Sequence, residues 1–289
     1  MHLDRTKPAD FAELTKPRIV LLVMLTVAAG FWMGSPGTGQ AMVLFHLLFG
    51  TALVASGTNA LNQVAERDLD AMMKRTKDRP LPAGRLTVKA ATVFAWLAGI
   101  AGALYLAAFV NALVAALATA TLISYVFIYT PLKRRTTVSI LIGAVPGALP
   151  IAGGWAAATG TVGLEAWVLF WILFLWQLPH FLALGWLYRE DYARANLKMV
   201  STVDANGGTT FLYASLYAAA LLPVSLVPAL LGMAGSVYFV GAALLSAWFL
   251  LASGRAATRC SAINARRLFR LSLAYLPLLL VLMVVNRSI

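Results

Sequence analysis

The chain has 289 residues, of which 61% are hydrophobic and only 12% are charged. This composition excludes an ordinary water-soluble enzyme and predicts a polytopic membrane protein. The formal net charge of +12 is carried by basic residues between apolar segments, which indicates membrane orientation and attraction to anionic lipids or substrates rather than nucleic-acid binding.

Nine apolar segments follow one another along the chain, each close to the roughly 20 residues that a membrane-spanning helix needs. We place them at about 18–34, 41–60, 90–109, 112–130, 138–158, 166–187, 211–231, 235–253 and 271–285. Only Asn111 separates the third span from the fourth. The prediction is an all-α polytopic membrane protein, a single domain over residues 1–289 with about nine transmembrane helices around a central lateral-access cavity.

Lysine and arginine mark one side of this predicted bundle. Of the 23 basic residues, 22 precede span one or follow spans two, four, six and eight, and only Arg287 follows span nine. Because cytoplasmic segments of membrane proteins are enriched in Lys and Arg, we expect the N-terminus in the cytoplasm and the C-terminus outside.

The end of span two carries a polar stripe that continues into the following loop. At about 100° per residue, four side chains with potential oxygen ligands fall within an arc of about 80°: Asn59, Asn62, Glu66 and Asp70. Amide and carboxylate oxygens suit a hard divalent cation such as Mg²⁺. A solvated helix face with salt bridges is the alternative interpretation of the same spacing.

Basic residues follow this stripe directly. They are Lys74, Arg75, Lys77 and Arg79. An acidic metal site beside a cationic cluster is the arrangement that a diphosphate group needs. Pro80, Pro82 and Gly84 then predict the end of the helix.

Span six and the loop behind it carry a second polar group. Gln177, His180, Tyr188 and Asp191 are predicted to share one helical stripe that ends at the loop. A Gln and a His at membrane depth suggest a polar cavity, although a buried His can also simply hydrogen-bond between helices. The two polar groups together predict catalytic loops at about 62–89 and 189–210.

Motifs from most of the chain resemble those of the UbiA-type intramembrane prenyltransferases. The stripe Asn62, Glu66 and Asp70 is similar to the family's first acid-rich motif. Further matching pieces are Arg75-Thr76, Arg79-Pro80-Leu81, Thr15-Lys16-Pro17-Arg18 and Tyr129-Thr130-Pro131-Leu132-Lys133-Arg134. Trp176-Gln177, Pro179-His180-Phe181 and Arg189-Glu190-Asp191-Tyr192 resemble the branch of the family that acts on haem.

Three departures accompany the resemblance. Glu66 stands where many members have Asp, and Ala195-Asn196 stands where an Ala-Gly pair is expected. The run from Arg79 to Gly84 also resembles the branches that prenylate aromatic acids.

The resemblance implies a reaction and a set of residues. A farnesyl group would pass from farnesyl diphosphate to a vinyl group of protohaem IX (haem b), giving haem O and diphosphate, with Mg²⁺ as cofactor. The implied catalytic residues are Asn62, Glu66, Asp70 and Asp191, and the implied metal ligands are the same four with Glu190. The implied diphosphate contacts are Lys16, Arg18, Arg75, Arg79, Lys133 and Arg134, and the implied substrate cavity includes Asn59, Tyr129, Gln177, His180 and Tyr188.

The same resemblance implies a bacterial-type cytoplasmic membrane as the location, with membrane lipid around the protein, no nucleic-acid partner, and transient contact with haem-handling or oxidase assembly proteins. Other functions stay open: prenylation of a quinone precursor or a chlorin, secondary transport, or a non-catalytic assembly factor for a haem protein. A transporter is expected to place its acids near the bilayer midplane, whereas these acids lie at span ends beside basic residues.

Overall fold

The apolar segments fold into long helices joined by short connections. A computed structural model describes residues 7–35, 37 and 40–288. Its helices are α1 (Lys7–Thr15), α2 (Pro17–Gly34), α3 (Ala41–Met72), α4 (Val88–Phe109), α5 (Ala112–Ile123), α6 (Thr130–Leu132), α7 (Ser139–Thr159), α8 (Leu164–Leu187), α9 (Arg189–Arg194), α10 (Val200–Val203), α11 (Gly208–Leu230), α12 (Ser236–Thr258) and α13 (Ala262–Val285). A π-helical segment, Ser124–Tyr129, joins α5 to α6.

Nine helical segments within the described ranges are long and apolar enough to cross a membrane. They are α2, α3, α4, the continuous stretch Ala112–Leu132, α7, α8, α11, α12 and α13. The all-α fold and the nine spans are therefore confirmed, and the chain is an integral multi-pass membrane protein. The break at Asn111 has a local cause, since its side-chain oxygen accepts a hydrogen bond from Val114 N at 2.8 Å and caps α5.

One predicted helix limit was wrong, and two helices are longer than the apolar spans placed there. Helix α3 ends at Met72 rather than at Pro80, because polar contacts turn the chain earlier: the hydroxyl of Thr76 donates to the carbonyl oxygen of Asp70 at 2.9 Å. Helices α12 and α13 extend beyond the apolar segments, and only residues 259–261 separate them. Arginines can stay on a helix at the membrane boundary because their apolar stems pack along it while the charged ends reach water.

The predicted stripe from Gln177 to Asp191 is also interrupted. Helix α8 ends at Leu187, and Tyr188 leaves the helical conformation with φ −110° and ψ 19°. Asp191 therefore lies on the separate short helix α9, and its direction is not set by the periodicity of α8.

The basic face of the bundle is formed by α1 and by segments 73–87, 133–138, 188–207 and 259–261. Contacts between distant segments bring several of these together. Arg85 Nε donates to Asp10 Oδ1 at 2.7 Å, which joins the second segment to α1. Lys198 N donates to Lys133 O at 2.9 Å, which joins the loop after α6 to the loop after α9. The C-terminal end lies on the opposite face, where Arg287 donates to Ser35 O.

Helices α2 and α7 pack closely at two glycines. A Cβ atom on Gly30 would lie 2.1 Å from Ile151 O, and a Cβ atom on Gly154 would lie 2.1 Å from Val27 O. Small residues let membrane helices approach each other in this way. The neighbouring Gly153 is different, because a Cβ atom there would have no neighbour within 4 Å.

We expect Gly154→Ala to destabilise the protein by about 1–3 kcal/mol, because the added methyl group must push two backbones apart. The measurement is the midpoint of thermal unfolding in one detergent. Gly153→Ala is the matched control and should unfold close to the unsubstituted protein. Equal midpoints for the two variants would show that the close approach of α2 and α7 does not limit stability.

Candidate active site

The polar stripe on α3 faces the interior of the bundle. Asn62, Glu66 and Asp70 are only 2%, 8% and 1% exposed. Asp68, which is two residues from Asp70 and therefore on another face of the helix, is exposed and pairs with its neighbour Arg67. The stripe is therefore not a solvated helix face.

The turn between α1 and α2 directs Lys16 toward this stripe. Lys16 adopts a left-handed backbone conformation with φ 54°, which non-glycine residues rarely do. Its Nζ donates to Asn62 Oδ1 at 2.9 Å. Burial, together with the charge of Arg79, lowers the pKa of Lys16 to about 7. An anionic ligand would favour the charged form of this amine.

Two amides of α3 fix that turn. Gln63 Nε2 donates to Leu14 O at 2.8 Å, and Asn59 Nδ2 donates to Thr15 O at 3.0 Å. The position of Lys16 thus depends on Asn59 of the stripe and on Gln63 beside it.

Lys133 reaches Glu66 from the end of span four. The distance from Lys133 Nζ to Glu66 Oε1 is 2.5 Å, and the ammonium also lies 4.6 Å from the centroid of the Tyr129 ring. Burial opposes the charge of Lys133, but Tyr129 and Glu66 outweigh it and raise its pKa. Lys133 thus supplies the positive charge that balances the buried carboxylate of Glu66.

The π-helical segment in span four brings Tyr125 and Tyr129 together. Their ring centroids are 5.1 Å apart. The hydroxyl of Thr130 donates to Tyr125 O at 2.8 Å and accepts from Asn62 Nδ2 at 3.2 Å. Such π-helical turns often occur at functional sites, and this one links the tyrosines to the polar stripe.

Arg79 pairs with Asp70 after the chain has turned back. Its Nη1 lies 2.7 and 2.9 Å from the two carboxylate oxygens. The same segment is fixed to α1, because Arg85 bonds both Asp10 and Glu13. Each acid of the stripe is therefore charge-balanced by one buried or half-buried cation.

The second predicted loop packs against the first. Asp191 is 8% exposed; it accepts a hydrogen bond from Lys74 N at 3.3 Å and pairs with Arg194. A small apolar cluster lies beneath this contact and joins the two loops: Leu69, Met73, Ala195 and Leu197. Asp191 of the second loop thus contacts the backbone that follows α3, four residues after Asp70.

Asn196 accounts for one departure from the family pattern. Its backbone φ is 51°, in the left-handed region that favours Gly and tolerates Asn best among the other residues. The Asn at this position therefore keeps the turn that the expected glycine would make.

Several predicted residues lie outside this group. Glu190, Arg18 and Arg134 are exposed and form no ion pair with any residue that the structure describes. Arg75 is exposed and stacks on Tyr188, with the guanidinium carbon 5.2 Å from the ring centroid.

His180 does not line the substrate cavity, contrary to its predicted place there. Its Nδ1 lies 2.7 Å from Ser272 Oγ, and its ring lies between Trp176 and Phe269, with centroid distances of 5.3 and 4.9 Å. Three residues along a helix turn a side chain by about 300°. His180 therefore points about 60° away from Gln177 around the helix axis, so its ring faces α13 instead of the cavity.

A cavity of about 290 Å³ lies among α2, α3, α5, α7 and α8, and continues into the π-helical segment. Three predicted residues line it, namely Asn59, Tyr129 and Gln177, whereas Tyr188 does not. Its walls are mostly apolar and include Val27, Leu47, Val54, Val114, Leu117 and Leu149. Tyr129 connects this apolar space to the ion pairs above it.

Sequence analysis missed several residues of this region. Tyr125 and Phe181 line the cavity, and Gly147 leaves space for Gln177, since a Cβ there would lie 2.2 Å from Gln177 Oε1. Gln177 Nε2 in turn donates to Ala144 O at 2.8 Å. The contact between Gly147 and Gln177 cannot be predicted from the spacing of residues along one helix, because the two residues lie on different helices.

The arrangement can bind a molecule with an anionic head and an apolar tail. Lys16, Arg79 and Lys133 supply positive charge where the cavity meets the basic face, and aliphatic side chains surround the rest of the cavity. Among residues 7–35, 37 and 40–288, no three Asp, Glu, His or Cys side chains lie together in a way that could hold a metal ion. A divalent cation here would need the amide oxygen of Asn62 beside the carboxylates of Glu66 and Asp70.

Comparison with known proteins gives consistent results. Residues 23–276 match the model of the UbiA prenyltransferase family. A Protoheme IX farnesyltransferase from Solibacter usitatus (strain Ellin6076) is 47% identical over 96% of this chain and 98% of its own length. Another, from Koribacter versatilis (strain Ellin345), is 42% identical over 97% of this chain and 94% of its own length.

Solved structures share the fold. A UbiA homologue from Archaeoglobus fulgidus bound to GPP and Mg²⁺ superposes with a TM-score of 0.68 and 16% identity, covering 95% of this chain and 99% of that chain. A structure from work on digeranylgeranylglyceryl phosphate synthase in membranes gives a TM-score of 0.82 and 15% identity, covering 97% of this chain and 98% of that chain. At these identities the likeness concerns the fold alone.

Proposed function

The chain belongs to the UbiA prenyltransferase family, and from this premise we propose that it transfers a farnesyl group from farnesyl diphosphate to a vinyl group of haem b, giving haem O and diphosphate. The names of the 47% and 42% identical relatives support this substrate pair. The structural observation that carries the proposal is the group of three cations, Lys16, Arg79 and Lys133, between the basic face and the apolar cavity.

The diphosphate would lie against these three cations. In the reaction the C1–O bond of farnesyl diphosphate breaks, and the electron pair leaves with the diphosphate. Positive groups already in place stabilise that developing negative charge without having to reorganise. We assign Arg75, Arg18 and Arg134, which are exposed, to the outer approach of the diphosphate rather than to the reacting group.

Asn62, Glu66 and Asp70 would hold Mg²⁺, with Asp191 contributing from the second loop. Their hard oxygen donors fit this ion, and the burial of all three side chains on one face of α3 supports the assignment. Bound Mg²⁺ would supply positive charge that stabilises the leaving diphosphate. Glu190 is exposed, so we leave it out of the proposed ligand set.

The cavity residues would protect the farnesyl cation. The faces of Tyr125 and Tyr129 can stabilise its positive charge, and the aliphatic walls keep water away until the new bond has formed. The electron pair of the haem b vinyl group then forms the bond to C1 of the farnesyl group, which leaves a cation on the other vinyl carbon. One water molecule adds its oxygen to that carbon and releases a proton to the diphosphate, which completes the hydroxyl group of the product.

The same proposal covers topology and organisation. The basic face would be cytoplasmic, because nearly all Lys and Arg residues lie on that side. The whole chain would act as one membrane domain, since residues of α2, α3, span four and α8 all contribute to the cavity.

The decisive experiment is a product assay with purified protein, haem b, farnesyl diphosphate and Mg²⁺, in which the pigment is identified by mass spectrometry. We expect haem O with added Mg²⁺ and none with excess EDTA. A parallel reaction replaces haem b with 4-hydroxybenzoate. A prenylated aromatic acid without any haem product would move the chain to the quinone branch.

A further inference from the structure

A second groove lies between α12 and α13, away from the substrate cavity. Its volume is about 420 Å³, and its lining is Trp248, Ala252, Arg255, Asn264, Arg267, Arg270, Leu271 and Ala274. Neither α12 nor α13 contributes a residue to the substrate cavity. The proposed reaction therefore leaves this groove unexplained.

The charge of the groove is not balanced within the chain. No Asp or Glu follows Asp204 in the sequence. Arg255, Arg267 and Arg270 are exposed and form no ion pair with any residue in the described part of the structure. Lys133 and Arg79, by contrast, each pair with an acid. Three unbalanced guanidinium groups at one groove indicate an external anion.

The spacing of the lining residues separates charge from apolar surface. On α13, Arg267, Arg270, Leu271 and Ala274 follow each other at intervals of three, one and three residues, which places them on one face. On α12, Trp248 and Ala252 precede Arg255 by seven and three residues, again on one face. The arginines lie toward the basic face, and the apolar residues lie farther along both helices.

The arginines of α13 lie near one end of a membrane-spanning helix. A helix of 24 residues is about 36 Å long, whereas the hydrocarbon core of a bilayer is about 30 Å thick. Arg267 and Arg270 lie about 8 and 12 Å from the start of that helix, so their side chains can extend toward the headgroups while the apolar stems pack along the helix. Trp248, which is 53% exposed, lies about 10 Å deeper than Arg255 along α12, beside the acyl chains.

We propose that this groove binds an anionic glycerophospholipid, with its phosphate on Arg255, Arg267 and Arg270 and its acyl chains along Trp248 and Leu271. Guanidinium groups bind phosphate through paired hydrogen bonds, and basic pockets between transmembrane helices bind anionic headgroups. The apolar half of the groove favours a lipid over a free anion, because a free phosphate would leave that half uncovered.

The test is native mass spectrometry of the detergent-purified protein with added phosphatidylglycerol, phosphatidylcholine or inorganic phosphate. We expect phosphatidylglycerol to bind at least about tenfold more tightly than phosphatidylcholine. The variant R255Q/R267Q/R270Q should lose that preference. The matched control K89Q/R135Q/R266Q removes three exposed charges of which none lines the groove, and it should keep the preference.

Three results would overturn the proposal. The unsubstituted protein could bind the two lipids equally, a comparison that needs no variant. Inorganic phosphate could compete as well as the lipid does, which would mark a free-anion site. The two triple variants could lose the preference for phosphatidylglycerol to the same extent while their thermal midpoints match. That result would mean that the overall charge of the protein, and not the groove, attracts the lipid.

Discussion

Replacing Asp70 by Asn is expected to slow farnesyl transfer at least about 100-fold, the order of magnitude lost when one electrostatic contributor to a transition state is removed. The amide keeps the size of the side chain and can still accept a hydrogen bond from Arg79, so the protein should remain folded. The measurement is the single-turnover rate of haem O formation at saturating Mg²⁺. Asp191→Asn should behave in the same way, because Asp191 contacts the backbone four residues after Asp70 and is proposed to contribute to the same metal site.

Asp68→Asn is the matched control for this prediction. Asp68 is on the same helix, two residues from Asp70, but it is exposed, and among the described residues it pairs only with Arg67. Its variant should keep the full rate. Unchanged turnover in both Asp70→Asn and Asp191→Asn would remove the basis for a metal site on α3, whatever the fold of the protein.

Lys133→Met is expected to destabilise the protein by about 3–5 kcal/mol, because it leaves the carboxylate of Glu66 buried without its partner. Adding Glu66→Gln should recover most of that loss, since the second change removes the unpaired charge. Lys133→Met and the double variant should both lack activity, because both changes affect groups proposed to act on the diphosphate and its metal. Thermal unfolding and single-turnover rates together complete the double-mutant cycle.

Arg135→Gln serves as the control for Lys133, since Arg135 is exposed in the same loop and pairs with no acid within the described ranges. It should alter neither stability nor rate. If the double variant regained activity along with stability, the proposed roles of Glu66 and Lys133 would be contradicted. The ion pair between them would then be a purely structural contact.

The periodicity of single helices was informative where one helix alone decides the geometry. The nine spans could be predicted because apolar length is a local property of the chain. The direction of Asn62, Glu66 and Asp70 could also be predicted, because all three lie on the uninterrupted helix α3. The same reasoning failed for Asp191, because the backbone leaves the helical conformation at Tyr188.

Contacts between helices were beyond sequence reasoning. The spacing of α8 could not reveal whether His180 faces the cavity or Ser272, since the answer depends on where α13 packs. The π-helical segment that carries Tyr125 looks like an ordinary helix in the sequence. The left-handed turn at Lys16 depends on amides of Gln63 and Asn59, which are more than 40 positions away.

The position of Lys16 has a practical consequence for handling the protein. Residues 7–16 are a structural part of the proposed active site, because α1 supplies the acids that hold Arg85 and leads directly into Lys16. Removing these residues, or fusing a bulky reporter close to them, would disturb the proposed diphosphate site. A reporter is better placed near Arg287, which contacts Ser35 on the opposite face of the bundle.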